Sequence, residues 1–219
     1  MSSEVVKAVF LGVFLSVFFA VNLANAIKIL FSSERWSKIN REAFRGDRTR
    51  SIQLFLAAFG TLAFFTEAVT YCFCVFFGSC RLLKEWAIDV HTGLSICSEA
   101  IGFAFVIFGC AIFLWSVLER GRRVNLNRLV TWSAFRYVRH PSYVGYFLMF
   151  AGFVLLLRNP IALLPLVAVP GYVGLAVFEE QLLVEEFGDS YVKYQKRTGR
   201  FIPKLRSAHT DAYAAVQTS

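Results

Sequence analysis

Apolar and polar stretches alternate along the chain in blocks too long for a soluble domain. Runs with few charges cover roughly 5–31, 51–77, 94–118, 143–157 and 161–178. A helix of about 20 apolar residues crosses the roughly 30 Å hydrocarbon core of a bilayer, so the first three runs predict single spans. The last two are shorter, and Arg158-Asn159-Pro160 between them is a turn signal. They predict a tight helical hairpin whose first arm is about 22 Å long at 1.5 Å per residue, tilted or locally thinning the bilayer. Pro165 and Pro170 are placed to kink the second arm. The expected fold is an all-α membrane protein of about five transmembrane helices. It closes with the C-terminal hairpin and a cytoplasmic helix.

Polar residues inside the apolar runs mark faces turned toward other helices. Asn22, Asn25 and Lys28 recur at three-residue spacing, with Lys28 able to snorkel to the surface. Glu67 lies near the middle of the second run, where an ionisable group is costly and turns to the bundle interior. Pairing within the bundle and a place on a substrate path both remain open for it. Gly102 and Gly109 permit close helix packing in the third run. Beyond the hairpin, Glu180, Leu183, Phe187, Tyr191 and Tyr194 fall on one helical face. Gly188 is expected to end one helical piece, with Asp189 or Ser190 capping the next. The chain thus divides into a three-helix region, 1–118, a core at 119–206 and a loose tail at 207–219.

Composition agrees with a membrane protein: 57% of residues are hydrophobic, against about 45–50% in soluble domains. The first run is too long for a signal-peptide core and no small-residue cleavage site follows it, so it is read as a retained helix. The net charge of +8 is a matter of position rather than of nucleic-acid binding. The segments 32–50, 119–142 and 193–206 hold the basic residues, whereas 78–93 and the turn at Arg158 hold few. Five alternating spans place the three rich segments on one face, which the positive-inside rule makes cytoplasmic, with the N-terminus outside. The five cysteines lie in or beside the second and third runs, without metal-ligand spacing, and are expected to pack as small apolar residues. A Cys80–Cys97 disulfide across the short loop stays open.

No phosphate-binding loop, dinucleotide fingerprint or HExxH motif is present. The sequence Gly171-Tyr172-Val173-Gly174 lies in an apolar helix and reads as packing, and His91 and His209 as surface residues. Chemistry concentrates in Arg139-His140-Pro141-Ser142-Tyr143-Val144-Gly145. Arg139 and His140 donate hydrogen bonds, and Pro141 suits the first turn of a helix whose free amides face the boundary. Tyr143 and Tyr146 share a face there, and Gly145 allows close backbone approach. Such a stretch serves either as a ligand site or as a headgroup-level anchor. Glu179-Glu180 stands where the hairpin returns to the same face. The two carboxylates either complete a binding site with Arg139 and His140 or clamp the hairpin ends by a salt bridge.

These two stretches, with Asn159-Pro160 between them and Leu183, Phe187-Gly188, Tyr191 and Tyr194 after them, resemble the isoprenylcysteine carboxyl methyltransferases and the related phospholipid methyltransferases. The resemblance covers roughly 127–203; the first three spans are similar only in topology. It implies an integral membrane enzyme that binds S-adenosylmethionine in a cytoplasmic pocket and takes a lipophilic acceptor from the bilayer. It also implies the endoplasmic reticulum in a eukaryote and the plasma membrane otherwise, with no metal. By position, Arg139 and Glu180 are the implied catalytic residues. His140, Pro141, Tyr143, Gly145, Glu179, Glu180 and Tyr191 are implied to bind the cofactor, with Leu129, Val130, Thr131 and Phe135 along its adenosine.

The acceptor most in keeping with the resemblance is the carboxylate of a prenylated cysteine at a protein C-terminus, with a phospholipid as the alternative. Displacement at a sulfonium asks the protein to align the reactants and exclude water. A carboxylate nucleophile needs no base, whereas an amine must lose a proton, to Glu180 or His140. Three departures bear on the acceptor. Relatives often carry Gly-x-Tyr where this chain has Ser133-Ala134-Phe135, and histidine in place of Asn127. They also carry an arginine before the paired glutamates, for the substrate carboxylate, where 171–177 is uncharged. A sterol-type NADPH reductase and a non-catalytic protein of the same fold are the other readings.

Overall fold

The computed structural model describes residues 48–77, 92–121 and 129–204, together with positions scattered between 9 and 24. It is all-α. Helix α1 spans Arg48–Phe77, α2 Thr92–Gly121, α3 Pro141–Leu157, α4 Ala168–Phe187 and α5 Asp189–Arg197. Short 3-10 turns, η1 at Ser133–Arg136 and η2 at Pro160–Val167, precede α3 and α4. Among the described residues, three stretches are long and apolar enough to cross a membrane: Arg48–Cys74, Ile96–Glu119 and Pro160–Phe187. With the shorter apolar α3, they make this a multi-pass membrane protein. The described positions between 9 and 24 are helical, but most of the first run, including Asn22, Asn25 and Lys28, lies outside the described residues. So do Asn127, His91 and the tail 207–219.

Glycine contacts in two helix pairings set the helix arrangement. Gly109 and Gly145 face each other across α2 and α3 so closely that a β-carbon on either would meet the other's carbonyl oxygen at 2.5–2.6 Å. Gly102 and Gly152 repeat the contact further along, which makes the pair antiparallel. On the other side, Gly171 of α4 abuts the backbone of Gln53 and Ala57 in α1, and Gly60 abuts Pro165 and Ala168. With no water to exclude between helices in lipid, close van der Waals contact is the main attraction, and small residues supply it. Between the pairs, Phe18, Phe64, Phe113, Tyr146, Phe150 and Phe153 fill the core edge to face.

The hairpin forms as the turn signal predicts, with a difference in its second arm. Arg158 takes a left-handed conformation (φ 49°) at the end of α3 and pairs with Glu99 of α2 at 3.0 Å. The Asn159 side chain accepts a hydrogen bond from the Ala162 amide at 2.9 Å and so caps η2. Pro165 removes an amide from this arm, which runs as a 3-10 turn until Ala168, whereas Pro170 sits harmlessly in the first turn of α4. Glu67 faces the interior, 8% exposed, and neither carboxyl oxygen finds a hydrogen-bond partner among the described residues.

Three expectations need correction. Gly188 (φ +53°) ends α4 and also stands before α5, so Asp189 lies in the first turn rather than capping it. Glu180 and Tyr191 are consequently on different helices, not one continuous face. Cys97 carries a free thiol, which excludes the Cys80–Cys97 bridge; among the described residues Cys74 is disulfide-bonded, so it does more than pack.

Substituting Gly145 with alanine forces α2 and α3 apart where backbone meets backbone. A loss of about 1–3 kcal/mol in stability is expected, read as a lower thermal midpoint in detergent; an unchanged midpoint would show that the contact is loose.

Candidate functional site

The site forms where the chain leaves η1, enters α3, and is met by the end of α4 and the strand-like segment after α5. Val138 and Gly199 form an isolated parallel bridge. The Arg139 amide donates to the Gly199 carbonyl at 2.8 Å and the His140 amide to the Arg200 carbonyl at 3.1 Å. Pro141, with no amide to satisfy, opens α3 as its first residue. The Tyr194 hydroxyl donates to the Phe135 carbonyl at 2.6 Å, which ties α5 to η1.

Glu180 is the centre. Arg139 donates to it through Nε at 2.9 Å and Nη2 at 3.2 Å, and Arg200 through Nε at 2.9 Å and Nη2 at 2.8 Å. His140 Nε2 lies 3.2 Å from the same carboxylate and Gln195 Nε2 donates at 3.3 Å. A carboxylate offers about four lone-pair positions, so Glu180, only 5% exposed, is saturated by the protein itself. Arg139 is equally committed, because its Nη1 donates to the carbonyls of Gln195 at 3.0 Å and Thr198 at 2.6 Å. The clamp and the site, alternatives in the sequence, therefore occupy the same residues: Arg139 and Glu180 position the others.

Glu179 is differently placed. Its side chain is 42% exposed, accepts from the Tyr143 hydroxyl at 2.6 Å and lies 3.3 Å from His140 Nδ1. Both ring nitrogens of His140 thus face carboxylates, an arrangement that only the imidazolium satisfies with two donors. Burial alone lowers its pKa, but the hydrogen bonds to Glu179 and Glu180 and the charges of both outweigh it, so the group ends above 6.5. Aromatic rings line this side. His140 stacks on Tyr143 at 5.4 Å, Tyr143 meets Tyr172 at 4.8 Å, and Phe201 closes on His140 and Phe147.

The other expected residues are distributed unevenly. Phe135 is buried under η1, while Leu129, Val130 and Thr131 are half-buried and make no hydrogen bond to the cluster. Pro141 and Tyr191 are fully buried, Gly145 packs on α2, and Tyr146 belongs to the core rather than the site. The sequence singled out neither Arg200, Gln195 nor Phe201. Arg200 was visible only as one of the topological charges of 193–206.

Residues 97–190 match the family of phospholipid methyltransferases. This stretch is related to that family. It takes in α3, α4 and both motif stretches, begins earlier than the resemblance at 127–203, and stops short of Gln195 and Arg200. Among individual proteins, the protein-S-isoprenylcysteine O-methyltransferase of Schizosaccharomyces pombe is 43% identical over 93 residues, 42% of this chain and 39% of that protein. The protein-S-isoprenylcysteine O-methyltransferase of Xenopus laevis is 30% identical over 125 residues, 49% and 41% of the two chains. Methanethiol S-methyltransferase 1 of Bradyrhizobium diazoefficiens is 30% identical over 87 residues, 40% and 30%. The chain spans less than half the length of each of these relatives.

Three outcomes test this geometry. Glu180→Gln leaves two guanidiniums facing a neutral amide. Because Arg139 is buried and Arg200 partly solvated, a loss of roughly 3 kcal/mol is expected, whereas Glu179→Gln costs little in denaturation midpoint; equal effects would deny Glu180 its central place. His140 holds its proton more tightly folded than unfolded, so its contribution to stability is full below about pH 6.5 and is lost as pH rises through the folded value. Thermal midpoints should fall over that rise, and His140→Gln should remove that part of the slope. Ser133 has a left-handed backbone (φ +57°), a conformation that favours glycine. Ser133→Gly should stabilise by about 0.5–1 kcal/mol, the relief of the β-carbon clash exceeding the entropy of glycine; a lower midpoint would contradict it.

Proposed function

We propose that the protein is an integral membrane methyltransferase that uses S-adenosylmethionine and methylates a lipophilic acceptor, first the carboxylate of a prenylated cysteine. The observation that carries the proposal is the joining of Arg139-His140 to Glu179-Glu180 at the boundary end of two apolar helices, inside the stretch related to methyltransferases. The donor set fits the cofactor. Glu179 presents a partly exposed carboxylate for its sulfonium charge, and His140, Tyr143, Phe147 and Phe201 offer ring surface for its adenine. When bound, the cofactor supplies an electrophilic methyl group. Glu180 and Arg139 hold His140 and the residue 199–201 segment in place; the aromatic wall excludes water.

A carboxylate acceptor suits the charge of the cluster. Arg139, Arg200 and protonated His140 stand against Glu179 and Glu180, leaving a positive excess that steadies an anionic nucleophile and asks for no base. A second reading, a phospholipid or thiol acceptor, draws on the family of the match, on the methanethiol enzyme among the relatives and on the uncharged stretch 171–177. In either case the active site faces the cytoplasm, where the basic segments gather, in the endoplasmic reticulum of a eukaryote or otherwise the plasma membrane.

Binding in detergent separates the classes. S-adenosylmethionine should bind, NADPH should not, and Glu179→Gln should weaken the former by on the order of tenfold. Binding of NADPH alone would make the protein a reductase, and binding of neither would end the enzyme reading. Methyl transfer to a prenylcysteine analogue, set beside phosphatidylethanolamine and methanethiol, then identifies the acceptor; failure on the analogue alone removes the carboxyl methyltransferase proposal.

A further inference from the structure

Glu180 has two flanks. At about 3.6 residues per turn, Glu179 and Tyr172 fall on one side of it, toward the aromatic wall. Gln181, Val184 and Glu185 fall on the other. On that second side a cleft of about 410 Å³ opens between α4 and the segment after α5. Val177 and Val184 give it apolar lining, and Gln181, Glu185, Gln195 and Arg200 give it polar lining.

The charges in this cleft are unspent. Arg200 gives Nε and Nη2 to Glu180, its side chain stays 36% exposed, and its Nη1 has no hydrogen-bond partner among the described residues. Glu185 is exposed and makes no ion pair or hydrogen bond with any described residue. The two line the same cavity yet form no ion pair with each other. A guanidinium edge and a carboxylate held apart over an apolar floor suit a molecule that carries both an anion and an ammonium.

We infer that this cleft binds a zwitterion, its anionic oxygens on Arg200 Nη1 and its ammonium on Glu185, with Gln181 and Gln195 as neutral partners. Two molecules bring that chemistry to this boundary: an ethanolamine phospholipid headgroup, and the amino-acid end of S-adenosylmethionine. The second source rests on the methyltransferase reading; the cleft and its charges do not.

Glu185 is exposed and outside the Glu180 network, so Glu185→Gln and Glu185→Lys should fold as the parent does. Binding of S-adenosylhomocysteine, which has the same amino-acid end, is measured by equilibrium dialysis of the full chain in detergent. Retention of phosphatidylethanolamine and of phosphatidylglycerol, an anion without an ammonium, is measured by native mass spectrometry. Glu185→Gln should weaken a zwitterion by on the order of tenfold, Glu185→Lys by more, and phosphatidylglycerol should not weaken with either. A loss for S-adenosylhomocysteine alone assigns the amino-acid end, for phosphatidylethanolamine alone the headgroup, and for both a shared site. No loss for either zwitterion, or an equal loss for phosphatidylglycerol, overturns the inference. Parent-like binding of both S-adenosylhomocysteine and phosphatidylethanolamine in the two variants would do so while leaving the methyltransferase reading intact.

Discussion

Two guanidiniums grip one buried carboxylate, and the polar end of this protein is arranged around that grip. Glu180 comes from the last turns of α4, Arg139 from the residue pair before α3, and Arg200 from beyond α5. A carboxylate at this depth is costly unless matched, and here the match is supplied by residues 41 and 20 positions away in the chain. Satisfying one charge therefore fixes three segments at once. The imidazole of His140, held between Glu179 and Glu180, inherits its orientation and its proton from the same arrangement.

The apolar part of the molecule makes that convergence achievable. Helices in lipid gain little from burying apolar surface against each other, so the approach of backbones at Gly109 and Gly145, and at Gly171 against α1, does much of the assembly. These contacts set the depth of α3 and α4 relative to one another. A hairpin with its tip pinned by Arg158–Glu99 and capped by Asn159 then returns Glu179 and Glu180 to the level of His140. Small residues in the membrane and charged residues at its edge are thus parts of one construction.

The saturation of Glu180 and Arg139 divides the labour within the motif stretches. Their invested hydrogen bonds hold neighbouring segments in place, while Glu179 stays partly exposed beside the rings of His140, Tyr143, Phe147 and Phe201. Arg200 takes part in the clamp and also lines a cleft on the far side of Glu180. In the uncharged stretch 171–177, packing fixes the two glycines: a β-carbon at Gly171 or Gly174 would collide with Ala57 or Gln53 of α1.

The sequence by itself determined the apolar helices, the turn at Asn159-Pro160 and the likeness of 139–145 and 179–180 to membrane methyltransferases. These are local features: run length, period and short motifs are written in adjacent residues. It left open whether Arg139 and Glu180 form a clamp or a site, and it missed Arg200, Gln195 and Phe201. Those depend on the bridge between Val138 and Gly199, a contact across 61 positions that no local pattern announces. The break at Gly188 was legible, yet that it moves Tyr191 off the face of Glu180 was not, because a positive φ redirects everything after it. Tertiary structure alone decided which charges neutralise one another and which stay exposed to a ligand, since that is settled by distance in space and not by spacing along the chain.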